Sequence, residues 1–196
     1  MPGSRDEVET ALGQDCPVDH QVDAVEAGIG YLSEDRKHFG LATGMDVAAN
    51  ITLPSLARWL RGGMFLNKTA IAEVSKGMVD KLRIKTPSIY QMSKLLSGGN
   101  QQKVVIGRWL ERDCQVLLFD EPTRGIDVGA KFDIYGLLAE LARQGKALVV
   151  VSSDLRELML ICDRIAVLSA GRLIDTFARD HWSQDQLLAA AFAGYQ

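Results

Sequence analysis

Two short runs carry the residues of this chain that could act on a phosphate. Ser97-Gly98-Gly99-Asn100-Gln101-Gln102-Lys103 sets a hydroxyl and two glycines ahead of a segment with helical spacing. Glycine has no Cβ, so an anion can come close to the backbone there. The open N–H groups and the positive end of the helix dipole then favour negative charge. In the second run, Val116-Leu117-Leu118-Phe119 leads into Asp120-Glu121-Pro122-Thr123. An unbroken apolar run suits a strand buried on both faces, and open α/β sheets bind ligands at the carboxyl ends of such strands. Asp120 is placed there to hold magnesium, directly or through water, because hard cations take oxygen ligands. Glu121 is placed to polarise a water aimed at a terminal phosphate. A lone Ser-Gly-Gly is an ordinary capped loop, and a lone Asp-Glu pair ordinarily caps a strand end. The full octet and the strand-carboxylate-Pro-Thr order shift the reading towards phosphate chemistry. The lysine-bearing loop G-x-x-x-x-G-K-[ST] that usually completes such a site is not found in these 196 residues.

The elements that must position these groups follow from periodicity and punctuation. Residues 1–20 read as a loose leader, 22–27 as a short helix stopped by Gly28, and 29–32 as a strand running into the charged loop Ser33-Glu34-Asp35-Arg36-Lys37. From Asp46 to about Arg112 the pattern is mainly helical. Asn67 caps a helix bearing Ile71, Val74, Met78 and Leu82, and a second helix starts near Ser97 with Val104, Val105, Trp109 and Leu110 as its apolar face. Beyond that, strands at 115–119 and 147–152 alternate with helices at 128–143 and 155–161. A hairpin (164–169 with 173–177, turned by Ala170-Gly171) and a terminal helix over 183–192 capped by Ser183 complete the chain. Strands separated by helices of this length predict a parallel sheet covered by helices.

Composition sets broad bounds. Hydrophobic content of 47%, charged content of 24% and a net charge of −3 suit a globular protein and give no general reason to expect nucleic acid. No apolar run approaches the ~18 residues of a membrane span, and residues 1–16 lack the apolar core of a signal peptide. Cys16, Cys114 and Cys162 lack metal spacing, which fits a reduced cytosolic setting with Cys114 and Cys162 as small buried apolar groups. His20, His38 and His181 are scattered and read as solvated or structural. Trp59, Trp109 and Trp182 read as core or interface anchors, and Lys81, Arg83 and Lys85 as a solvated face.

Leu96-Ser97-Gly98-Gly99-Asn100-Gln101-Gln102-Lys103 resembles the signature motif of ATP-binding-cassette (ABC) ATPases. Residues 117–123 resemble their Walker B strand with its catalytic glutamate, and Gly125-Ile126-Asp127 resembles their D-loop. A finer resemblance, covering nearly the whole chain from residue 22, is to the second cassette of the tandem ATP-binding subunits of ribose-, galactose- and xylose-type sugar importers. It rests on the run from Gly28 to Lys37 with Gly40-Leu41, on the Asn100 form of the signature, and on Glu121-Pro122-Thr123-Arg124-Gly125-Ile126-Asp127-Val128-Gly129-Ala130-Lys131.

The resemblance implies an α/β fold: a partial P-loop NTPase with a mainly parallel sheet, flanking helices and an α-helical subdomain. Residues 1–21 would be the leader and 22–196 a truncated cassette. Its helical subdomain would span about 45–113, its RecA-like part about 22–44 and 114–180, and its C-terminal helix 183–193. It implies ATP and Mg2+ as cofactors, with Asp120 on the metal, Glu121 catalytic, and Ser97, Gly98, Gly99, Asn100 and Asp127 on nucleotide. Two positions depart from a complete cassette: the Q-loop glutamine falls on Glu34 and the switch histidine on Ser153. With the phosphate loop missing as well, the expectation is a truncated or split gene product.

Cassettes of this family work as head-to-tail pairs, so the resemblance implies that Ser97, Gly98 and Gly99 close over an ATP held by an intact partner cassette. The chain's own site would turn over ATP very slowly or not at all. Further implied partners are membrane permease subunits and, indirectly, a periplasmic sugar-binding protein. The implied location is cytoplasmic, peripheral on the inner face of the membrane. Val47, Ile51, Leu53 and Leu56 would either face the permease as a docking groove or pack within the helical subdomain. The competing readings are a catalytically silent partner-binding module, a soluble ABC protein of translation or DNA repair, and a decayed gene fragment of marginal stability with exposed apolar sheet.

Overall fold

A computed structural model describes residues 20–195; the expected leader and Cys16 lie outside that range, apart from the leader's last residues. The chain divides into two compact units that meet in sequence between Val151 and Ser152.

The first unit is built on a three-stranded parallel sheet. Helix α1 (Gln21–Glu26) precedes strand β1 (Ile29–Leu32). Gly28 turns between them at φ +82°, a left-handed conformation that glycine adopts without penalty. Strands β4 (Val116–Asp120) and β5 (Ala147–Val151) complete the sheet in the order β1-β4-β5, with Ile29 opposite Val116 and Val116 opposite Ala147. This register places Leu32, Leu117 and Phe119 on one face, where all three are buried. Tyr31, Val149 and Val151 lie on the other and are 50%, 51% and 59% exposed. Among the described residues the second face is covered at Ile29 and Val116, which are buried, and open towards the carboxyl ends of the strands.

The helical region inserts between β1 and β4. It comprises α2 (Val47–Thr52), a 3-10 turn (Leu53–Trp59), a small hairpin of β2 (Leu60–Arg61) and β3 (Phe65–Leu66), α3 (Lys68–Lys81), a second 3-10 turn (Ser93–Leu95) and α4 (Gly98–Glu111). Asn67 caps α3 as expected, its Oδ1 accepting from Ala70 N–H. The hairpin is an addition to the mainly helical pattern expected here: Gly62 and Gly63, both at positive φ, allow the reversal that a glycine pair favours. Helix α4 departs as well. Besides Val104 and Val105 it buries Gln101, Gln102, Lys103, Ile106 and Arg108, so it is enclosed on more than the one apolar face its periodicity predicts. Gly107 makes that possible, since a Cβ there would lie 3.0 Å from Leu82 and 3.1 Å from Met78. Val47 and Ile51 are fully buried, which removes them from any docking groove, whereas Leu53 and Leu56 stay exposed.

Helix α5 (Val128–Arg143) joins β4 to β5. The second unit contains α6 (Leu155–Ile161), the antiparallel hairpin β6 (Arg164–Ser169) and β7 (Arg172–Ala178), and α7 (Gln184–Phe192). Ser183 caps α7 in a capping box with Gln186. The core of this unit is Ile165, Val167, Leu187 and Ala190, with Trp182 and Cys162 packed against it. No helix among the described residues is long and apolar enough to cross a membrane.

Candidate functional site

The residues singled out by type and spacing fall into two groups in the first unit. The first lies at the carboxyl end of the sheet. Asp120 ends β4, and Tyr31, on the same face of neighbouring β1, donates from Oη to Asp120 Oδ2 at 2.9 Å. Partial burial, together with this bond and the negative charge of Asp120, pushes the Tyr31 phenol above its usual range, so it remains a donor at neutral pH. Glu121 follows in the left-handed region at φ +48°, where an L side chain is strained by about 1–2 kcal/mol. Its N–H donates to Val151 O on β5 at 2.8 Å, and its C=O accepts from Arg124 N–H at 3.1 Å. The backbone is thus held in this conformation from both sides, as strained residues at functional positions usually are.

Glu34, expected to put an anion where an amide normally sits, forms an ion pair with Arg124 from the loop after β4. Its charge is offset, and the loops following β1 and β4 are tied together beside Asp120 and Glu121. Among the described residues no three His, Cys, Asp or Glu side chains converge as a metal cage. A carboxylate next to a strand end suits magnesium that keeps most of its shell from phosphate oxygens and water, and the residues present fit that ion on those terms.

The second group sits where the N-termini of α4 and α5 cross. Ser97 is the N-cap residue of the 14-residue helix α4 and makes no side-chain cap hydrogen bond. Gly99 is buried, and a Cβ there would fall 2.6 Å from Ala130 Cβ on α5. This glycine therefore has a packing reason to lack a side chain, besides the access to an anion read from its sequence. Gly99→Ala is expected to push the two helix starts apart and cost about 1–3 kcal/mol. Urea unfolding would measure the loss, and Ala130→Gly in the same chain should return part of it; an unchanged midpoint would contradict the contact.

Asp127, expected on nucleotide, caps α5 with Oδ1 accepting from Ala130 N–H at 2.9 Å. Lys103 is 6% exposed and braces the same crossing by donating to Asp133 Oδ2 on α5 at 2.9 Å. That hydrogen bond holds the Asp133 carboxyl below its ordinary value. Ser153 belongs to the second unit, is exposed, and precedes Asp154, the N-cap of α6. The three histidines are exposed, with His38 paired to Asp35.

Two further features have no counterpart in the sequence pattern. One is the Tyr31–Asp120 bond, whose partners are 89 residues apart. The other is a buried hub in which Arg108 reaches Asn50 and Gly40. Neither has a local pattern; only the position of Asn50 between apolar Val47 and Ile51 hints at a buried polar group.

The comparisons with known proteins agree with this geometry. Residues 4–124 match the family model described as ABC transporter. A protein of Albidiferax ferrireducens, named as a ribose/galactose/methyl galactoside import ATP-binding protein, is 64% identical over 169 residues, covering 86% of this chain and 34% of the relative. A ribose import ATP-binding protein of Rubrobacter xylanophilus is 48% identical, again over 86% of this chain and 34% of its own length. The chain thus spans about a third of the length of the curated relatives it matches. Among solved structures, the dimeric post-hydrolysis state of an ATP-binding cassette bound to ADP and Pi superposes with a TM-score of 0.67 at 23% identity, covering 86% of this chain and 71% of that one. A second ATP-binding cassette of an ABC transporter gives 0.66 at 18% identity, over 89% and 71%. Both likenesses concern the fold, which is that of a partial ABC cassette.

Proposed function

Since the chain belongs to the ABC transporter family, we propose that it is the signature-bearing part of a second ATP-binding cassette in a carbohydrate importer, completing a nucleotide site whose phosphate loop lies on a partner cassette. The observation that carries this reading is the construction of α4. The helix is buried and braced along its length, yet its N-cap Ser97 is exposed. A rigid helix with an open N-terminus, two glycines and an exposed hydroxyl is suited to bind a phosphate that arrives from outside.

On this reading Ser97, Gly98 and Gly99 donate to the terminal phosphate of ATP, and Asn100 and Asp127 stand beside it. In the chain's own site, Asp120 would hold magnesium, which when bound neutralises phosphate charge, and Glu121 would orient a water. The N–H cradle and lysine on which phosphoryl transfer leans are not among these 196 residues. The names of the relatives support a sugar as cargo. Permease subunits, a periplasmic sugar-binding protein and a cytoplasmic position against the membrane belong to the same proposal. The Glu34–Arg124 pair and the absence of an imidazole at Ser153 favour a second form of it, in which the chain's own site is silent and the chain serves only its partner's.

The test is ATP turnover by the chain alone and mixed with a complete cassette taken from a relative. The expected result is negligible turnover alone, stimulation in the mixture, and loss of that stimulation on Ser97→Ala. Turnover by the chain alone, or a mixture without stimulation, would overturn the assignment.

A further inference from the structure

We propose that Asn100 is a positioning residue that holds the Ser97 hydroxyl as an outward-facing phosphate donor, rather than a group that touches nucleotide itself. The inference rests on the reading that the α4 N-terminus meets an ATP from a partner. It comes from a relay that joins the loop after α3 to the start of α4. Lys85 N–H donates to Asn100 Oδ1 at 2.8 Å, and Asn100 Nδ2 donates to Ser97 Oγ at 2.8 Å. The backbone N–H of Lys85 can only donate, so the amide oxygen must face it and the NH2 must face Ser97. Ser97 Oγ is therefore the acceptor of that bond, and its own proton points elsewhere. The N–H groups at the start of α4 can only donate, so they cannot take that proton, and among the described residues Ser97 Oγ donates to no protein acceptor. What remains is an O–H set to donate outward from the end of α4, where the helix dipole already favours an anion.

The upstream end of the relay is anchored. Ile84 is buried and its N–H closes the end of α3 by donating to Val79 O at 2.9 Å, while Arg83 takes the left-handed conformation at φ +50°. These contacts fix where Lys85 presents its N–H. The exposed cations Arg83 and Lys85 lie close enough to act on Asp133 of α5, so the surroundings also favour an incoming phosphate. Both ends of the Asn100 amide are engaged by the protein, which fixes the side chain in the orientation that turns the Ser97 proton outward.

The relay is tested first in the chain alone, by hydrogen exchange at the Lys85 amide. Asn100→Ala should speed exchange there several-fold, and Asn100→Asp, which keeps an acceptor, should not. Equal protection in all three chains would overturn the geometry whatever the partner does. Its consequence is then read in MgATP turnover of the mixture with a complete cassette. Ser97→Ala is expected to lower stimulation about 10-fold or more, the scale of one hydrogen bond to a charged group. Asn100→Ala is expected to lower it several-fold, and the double variant to be no worse than Ser97→Ala. Asn100→Asp should lose at least as much as Asn100→Ala, because its carboxylate draws the Ser97 proton inward. Additive losses in the double variant, with melting temperatures unchanged, would overturn the role of Asn100 while leaving the trans reading intact. A Ser97→Ala chain that stimulates normally would overturn both.

Discussion

Asn50→Leu is expected to lower the folding stability of the chain by about 3–5 kcal/mol, because the buried Arg108 charge loses one of its three acceptors and the buried polar groups around Asn50 lose theirs. Arg108 is 8% exposed, and its three hydrogen bonds go to neutral oxygens: Asn50 O at 3.0 Å, Asn50 Oδ1 at 2.7 Å and Gly40 O at 2.6 Å. Burial lowers its guanidinium to about 10, which still leaves it charged at neutral pH. Asn50 also accepts from Ala42 N–H and donates to Ala42 O, Asp46 O and Ser93 Oγ. Leucine removes all of these at once, while the polar groups they satisfied stay buried. Against a domain stability of roughly 5–15 kcal/mol the loss is large, and urea denaturation would measure it directly. Arg108→Met in the Asn50→Leu chain should recover part of it, because removing the charge removes the main penalty. An Asn50→Leu chain within 1 kcal/mol of the parent would show that the hub does not hold the helical region together.

The hub also marks where sequence reasoning stops. Strand β4 with its carboxylates, the caps Asn67 and Ser183, and the strands of the parallel sheet are legible because each is written in neighbouring residues: an apolar run, a capping side chain, a glycine turn. The Arg108–Asn50 contact joins residues 58 apart, and nothing near Arg108 distinguishes it from a solvated helix cation. Lys103 is hidden in the same way, since a lysine in a polar helix start reads as exposed until Asp133 is seen beside it. The hairpin Leu60–Leu66 is a different case. Its Gly62-Gly63 signal was present, but the helical pattern on either side outweighed four residues of strand. At Glu34 the sequence shows an anomalous anion, and only the structure supplies Arg124 as its counterion. The candidate groups are thus written in short local runs, and the long-range contacts that hold and neutralise them are not.

Gly30→Val is expected to be the most damaging change in the sheet, with a loss of about 3 kcal/mol or more, since overpacking costs of this kind run at about 1–3 kcal/mol for smaller additions. Gly30 sits in β1 facing α4, and a Cβ there would lie 2.8 Å from Trp109 Cγ, 2.9 Å from Trp109 Cβ and 3.0 Å from Leu117 Cδ2. The tryptophan atoms belong to the stem of the side chain, which cannot swing away without moving the helix. Even alanine must therefore separate β1 from α4, and valine adds two more methyl groups to the same gap. The displacement would not stay in the core, because β1 carries Tyr31 to Asp120 and leads to Glu34 and its pair with Arg124. Faster amide exchange along β1 should accompany the lower melting temperature. Gly77 in α3 provides the contrast: nothing lies within 4 Å of a Cβ there, so Gly77→Ala should stabilise by about 0.5–1 kcal/mol through helix propensity alone. If Gly30→Ala and Gly77→Ala shifted the melt in the same direction, close packing of Trp109 on β1 would not be what requires glycine at position 30.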